Sequence, residues 1–197
     1  MFSQIPALDL KLYLLVNHEW RCGLFDCIMP ILSSMTVLLS IMGIALILAA
    51  YKGGKRQIIF FLILFAGMGL SDISTSVIKK QVQRVRPLNA IAGTYHQAHG
   101  YWEQRPADFV QTDRVGTSFP SGHSSNTMCL AVLMTLLWPA LKKWPLILPL
   151  LVGYSRLYLG KHYPVDVLGG WLWGLVIGYA VWLLWKHGIS RFMPAID

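Results

Sequence analysis

Long apolar runs, each ended by a compact polar cluster, set the rhythm of this chain. Five of them read as membrane helices, at about 25–51, 58–78, 121–138, 144–159 and 165–185. A spanning helix needs about 20 mainly apolar residues. The first, second and fifth runs meet this directly. The third is short, and the fourth is shorter still and carries Pro145 and Pro149, yet both alternate correctly with the polar clusters. Before them, Leu8, Leu10, Leu12, Tyr13, Leu14 and Leu15 make an apolar face broken by Asp9, Lys11, His18, Glu19 and Arg21. Residues 1–24 read as an interfacial helix, with a sixth span ranked second because it would bury those charges; no cleavable signal peptide fits. The pattern predicts an all-α integral membrane protein of about five transmembrane helices, folded as one domain over residues 1–197.

Composition agrees. The 197 residues are 55% hydrophobic and 13% charged, with a mean hydropathy of +0.51; soluble domains are about 25% charged. The net charge of +8 is mainly a topology signal rather than a nucleic-acid footprint. Lys52, Lys55, Arg56, Lys142, Lys143, Lys186 and Arg191 fall on one side of the five-span arrangement, with Asp197 as their only acid. Lys and Arg gathered in short loops mark the cytoplasmic side, so the polar clusters face outward. Cys22, Cys27 and Cys129 are odd in number and read as small buried thiols, and no spacing suggests a metal site.

Residues 79–120 form the one long polar connection, with Pro87, Gly93, Gly100, Pro106 and Gly116 among Tyr95, Tyr101, Trp102 and Phe109. A loop this long is commonly a lid or a binding loop; aromatics resting in the headgroup layer are the alternative. His96 and His99 read as exposed loop residues. Gly170, Gly174 and Gly178 recur every four residues, a spacing that lets helices approach closely. Asp72, Ser76 and Lys79 share one helical face, and Asp72 reads as a structural hydrogen-bonding group between helices or as a tuner of nearby cations.

The chemistry lies in three clusters: Lys79-x6-Arg86-Pro87, Pro120-Ser121-Gly122-His123, and Ser155-Arg156-x5-His162-x3-Asp166. In the third, Gly160 can close a helix and Pro164 suits the first turn of the next. His162 and Asp166 stand four apart, so the carboxylate can hold one ring nitrogen and leave the other free to attack. In the second, Ser121 is a good N-cap and Gly122 keeps the backbone bare, so free N–H groups favour an anion beside His123. In the first, Lys79 and Arg86 supply charge. Snorkelling into the interface accounts for Lys80 and Arg84.

These three signatures, in order and without a gap, resemble those of the type-2 phosphatidic acid phosphatase family, which shares a superfamily with vanadium-dependent haloperoxidases. The resemblance covers about 79–166 directly and implies a haloperoxidase-like helical core. It implies His162 as a nucleophile forming a phosphohistidine, Asp166 as its orienting acid and His123 as general acid and base. Lys79, Arg86, Ser121, Gly122 and Arg156 would hold the phosphate, with no metal and no cofactor. The expected activity is removal of phosphate from a lipid phosphate or diphosphate at the outer face of a bacterial inner membrane. Undecaprenyl diphosphate is the first candidate; phosphatidylglycerol phosphate, phosphatidic acid and lipid A phosphates follow. A lipid phosphotransferase would use the same residues, and a non-catalytic anionic-lipid binder or transporter would release no phosphate. The implied partners are the lipid substrate and the bilayer, not nucleic acid; the oligomeric state is left open.

Overall fold

The computed structural model describes residues 5–52 and 54–188. Seven α-helices run through the described residues: α1 (Ala7–Leu14), α2 (Gly23–Leu32), α3 (Met35–Lys52), α4 (Gly54–Val82), α5 (Gly122–Leu137), α6 (Ile147–Tyr158) and α7 (Pro164–His187). Among the described residues, three helices are long and apolar enough to cross a membrane: α3, α4 with the residues that follow it, and α7. Their outer faces are apolar and open. Ile41, Ile44 and Ile47 on α3 and Leu168, Leu172 and Leu175 on α7 are all exposed, as lipid-facing positions should be.

Each element follows local chemistry, and several boundaries differ from the sequence expectation. The first run is two helices, because α2 ends at Leu32, is capped by Ser33, and α3 starts at Met35. α4 runs 29 residues until Gln83, at φ 53°, turns the chain. The fourth run begins with a 3-10 turn, Trp144–Leu146, and leaves α6 only 12 residues long. At 1.5 Å per residue that is about 18 Å, short of the ~30 Å hydrocarbon layer. Gly160, at φ +68°, ends this segment, and Pro164 opens α7.

Residues 5–24 are not one continuous α-helix. α1 runs into a π-helical turn, Leu15–Glu19, and buries Asp9, Tyr13, Val16 and Asn17. The long connection is also partly built: a short antiparallel hairpin pairs β1 (Tyr95–Ala98) with β2 (Tyr101–Gln104), so the fold is not purely helical. His99 sits in the exposed turn of the hairpin, whereas His96 is buried, with Nε2 3.8 Å from the Glu103 carboxylate. Cys22 and Cys27 are exposed and unpaired; only Cys129 is buried. Arg191 and Asp197 lie outside the described residues.

α5 and α7 make the central contact. A β-carbon on Gly170, Gly174 or Gly178 would stand 2.5, 2.2 or 3.0 Å from the carbonyl oxygens of Ser121, Ser125 and Cys129. The four-residue glycine spacing therefore serves packing within one chain. α4 closes the other side of α5 through Phe60, Leu64 and Met68, which pack with Leu130 and Leu133.

Candidate active site

The ends of α4, α5 and α6 and the first turn of α7 bring all three polar clusters to one place. Lys79 is in the last turn of α4, and Arg86 follows in extended backbone ahead of Pro87. Ser121 caps α5, its Oγ accepting from the Ser124 N–H at 3.4 Å. The bareness of Gly122 has a use: a β-carbon there would lie 3.0 Å from Lys79 Nζ. Arg156 is almost fully buried near the end of α6, where Nη1 donates to Ser33 Oγ. The charges of Arg156, His162, Lys161 and Lys79 all act on the His123 ring, which lies within electrostatic reach of the other two clusters.

His162 is 2% exposed, and its Nδ1 lies 2.8 Å from the Ser118 carbonyl oxygen. A carbonyl only accepts, so Nδ1 carries the proton and Nε2 keeps its lone pair. Burial, reinforced by Arg156 and Arg86 and opposed by Asp166, pushes the imidazole pKa down to about 4. The ring is therefore neutral at pH 7 with one nitrogen free.

The sequence expectation of a direct Asp166–His162 hydrogen bond is corrected here. Asp166 Oδ2 stands 3.8 Å from Nδ1, too far for one. Oδ2 instead accepts from Ser118 Oγ at 2.5 Å and from the Tyr163 N–H at 2.9 Å, and Oδ1 accepts from Arg84 Nη1 at 2.6 Å. Asp166 thus fixes Ser118, and the Ser118 carbonyl fixes the ring. The Ser121 N–H, donating to the Asp166 carbonyl at 2.9 Å, ties the second cluster to the third.

Arg84 is not a snorkelling residue. One nitrogen of its guanidinium meets Asp166, another meets Asp9 Oδ2 at 2.6 Å, and its plane lies 4.1 Å from the Tyr163 ring centroid. Asp9 Oδ1 also accepts from the Val165 N–H at 2.9 Å, in the open first turn of α7. Sequence reasoning missed Arg84, Ser118, Asp9 and Lys161. Lys161 precedes His162, and its ammonium pKa is lowered by burial and then by Arg156 and Arg86, so it borders the same cationic space. Asp9 and Ser118 carried no local signal.

Two donors complete the site. Arg86 Nε and Arg156 Nε are buried with no protein acceptor. Buried donors left without a protein partner suit an anion with several oxygens. The site therefore combines fixed cations, a bare helix N-terminus and a neutral imidazole with a free nitrogen.

A family model described as the PAP2 superfamily matches residues 60–189. An undecaprenyl-diphosphatase of Sulfolobus acidocaldarius is 29% identical over 181 residues, covering 90% of this chain and 78% of that protein. Phosphatidylglycerophosphatase B of Bacillus subtilis is 30% identical over 131 residues, covering 61% of this chain and 55% of its own length. Among solved structures, Aquifex aeolicus LpxE superposes with a TM-score of 0.69 at 22% identity, covering 92% of this chain and 98% of that one. A Bacillus subtilis phosphatidylglycerolphosphate phosphatase superposes at 0.62 with 24% identity, covering 92% and 86%. These two show the shared fold, and the matched region spans all three clusters: the chain belongs to the PAP2 superfamily.

Proposed function

We propose that this chain is a membrane lipid phosphatase that transfers a phosphoryl group from a lipid phosphate or diphosphate to Nε2 of His162 and then to water. The observation that carries this reading is the His162 ring. Its Nδ1 proton is held by the Ser118 carbonyl, its buried imidazole stays neutral with Nε2 unprotonated, and the charges of Arg156 and Arg86 act on the ring. Lys79, Arg86, Arg156, the Ser121 hydroxyl and the Gly122 N–H take the equatorial oxygens as the P–O bond breaks. Charge placed in advance where it develops is commonly the largest catalytic contribution in such transfers. His123 gives a proton to the departing oxygen and later takes one from the attacking water. Asp166 acts by way of Ser118, holding tautomer and ring plane.

A lipid substrate is favoured by the surroundings of His123. A cavity of about 190 Å³ beside it is lined by Ile31, Leu32, Met35, Leu38 and Val152. A larger one of about 470 Å³ shares Leu38, Ile41 and Leu148 with it and reaches Trp138. A hydrocarbon tail fits this apolar seam while its phosphate meets the cup. Among lipids, undecaprenyl diphosphate is favoured, given the relative in Sulfolobus acidocaldarius and a Bacillus subtilis undecaprenyl-diphosphatase 39% identical over 85 residues, covering 40% of this chain and 44% of that protein. Phosphatidylglycerol phosphate and lipid A phosphates follow from other relatives. The loop charges argue for a cup on the outer side of a bacterial inner membrane.

The test is phosphate release in detergent across purified lipid phosphates and diphosphates, with His162→Ala beside the wild type. Undecaprenyl diphosphate should be the best substrate, and His162→Ala should lose turnover while keeping its fold. Near-wild-type release by His162→Ala would refute the nucleophile assignment.

A further inference from the structure

One carboxylate near the cup takes no part in the network around Asp166. Asp72 lies on α4 seven residues before Lys79, which sets the two on one face about 10 Å apart along the helix axis. It is exposed on a stretch shared with Leu70, Ile73 and Val77, where a carboxylate is costly unless it has a partner or a task. Its Oδ1 accepts from Asn126 Nδ2 at 3.3 Å. Asn126, on α5, is 4% exposed, and its own Oδ1 is buried without a partner.

The position of a β-carbon on Gly122 shows how these groups meet. It would have three polar neighbours: Lys79 Nζ at 3.0 Å, and Asp72 Oδ1 and Thr75 Oγ1 at 3.7 Å each. Helical side chains lean toward the N-terminus of their helix, so Lys79 folds back over the turn that carries Thr75 and Asp72. The ammonium therefore rests against the bare backbone of Gly122, with the Asp72 carboxylate near the same point.

Two forces oppose that placement. Arg86 and Arg156 repel the ammonium, and both act on it electrostatically. A lysine near the end of a membrane helix also tends to extend into the headgroup layer. The Asp166 carboxylate gives no counterweight to Lys79, because it is engaged by Arg84. Asp72 is the acidic group that acts on the Lys79 charge.

We propose that Asp72, held by Asn126, is a positioning residue that keeps the Lys79 ammonium over Gly122 and inside the phosphate cup. This rests on the phosphatase reading, and it makes a prediction of unusual sign. Removing a negative charge from beside an anion site ordinarily tightens the site. Here removal weakens it, because the cation that meets the phosphate leaves.

The experiment is a double-mutant cycle on phosphate release from a lipid phosphate in detergent, with Asp72→Asn, Lys79→Met and the pair. Asp72→Asn should lower kcat/KM about tenfold, toward the Lys79→Met level, and should add nothing in the Lys79→Met background. Asp72→Glu should restore most of the loss. Asn126→Ala, which removes the holder without touching either charge, should show a smaller loss that is also absent in the Lys79→Met background. Unchanged or higher activity in Asp72→Asn overturns the proposal, and so do losses that simply add to that of Lys79→Met. His162→Ala in the same assay separates the two levels. If it is inactive while the cycle is additive, only the role of Asp72 fails; if it stays active, the His162 nucleophile assignment fails first.

Discussion

Asp9 and Asp166 come from opposite ends of the chain, and Arg84 is what lets both be buried. The Asp9 and Asp166 side chains are 1% and 0% exposed, and the guanidinium between them is 12% exposed. A buried carboxylate is tolerated only when paired and hydrogen-bonded. The planar fork of arginine can reach two carboxylates at once, which a single ammonium does less well. Arg84→Ala would leave two buried charges uncompensated, and breaking a buried pair costs about 3–5 kcal/mol. The expected result is a large drop in thermal midpoint in detergent, with loss of phosphate release because Asp166 no longer fixes Ser118. Arg84→Lys should recover part of the stability but less of the turnover. Full activity in Arg84→Ala, measured as kcat/KM, would show that the triangle is only structural. The role of Asp166 was half legible from sequence. Its four-residue spacing from His162 is real, but the contact is relayed through Ser118, whose carbonyl approaches from a distant stretch.

At the level of elements, the chemistry depends on how closely α7 approaches α5, since α7 carries Asp166 and α5 carries Ser121 and His123. Their separation is set by glycine. A methyl group on Gly174 would stand 2.2 Å from the Ser125 carbonyl oxygen, and backbone cannot step aside as a side-chain tip can. Gly174→Ala should force the helices apart, lowering both thermal midpoint and turnover. Gly69→Ala on α4 is the matched control, because nothing lies within 4 Å of that position. Equal behaviour of the two variants would mean that the interface is looser than its contacts imply. This element was the most readable from sequence, because a four-residue repeat of small residues in an apolar run has few other uses. The split of the first run was not readable. Ser33 and Ser34 sit in an apolar stretch long enough to span, and the break is stabilised by Arg156, which binds Ser33 from another helix. The fourth run was readable as a short helix, but its 3-10 entry depends on Pro145 within a tertiary setting.

For the whole molecule, the N-terminal segment holds the end that carries the site together, and this was the part least visible in the sequence. Its apolar residues suggested an interfacial face, whereas its polar residues do the joining. Arg21 lies over the rings of Tyr95, Trp102 and Tyr158 at 4.4, 4.1 and 4.8 Å, linking the hairpin to α6. Asn17, fully buried, accepts from the Tyr95 N–H at 2.9 Å and donates to the carbonyls of Tyr95 at 2.9 Å and Tyr158 at 2.8 Å. Such partners lie far along the chain, so no local pattern could have announced them. Replacing Asn17 with Ala removes these bonds and leaves buried backbone groups unpaired, at a cost of about 2–4 kcal/mol. The loss should fall first on the hairpin, whose Tyr95 backbone is hydrogen-bonded to this side chain on both its N–H and its carbonyl. Hydrogen exchange across residues 95–104 should quicken in Asn17→Ala, while exchange in α5 and α7, which pack on each other below the cup, should change little. Turnover should fall as well, because the tail of α6 that Asn17 grips leads directly into Gly160, Lys161 and His162. Slow exchange retained in the hairpin would mean that Arg21 and the aromatic contacts suffice to hold it, and that Asn17 serves only the end of α6.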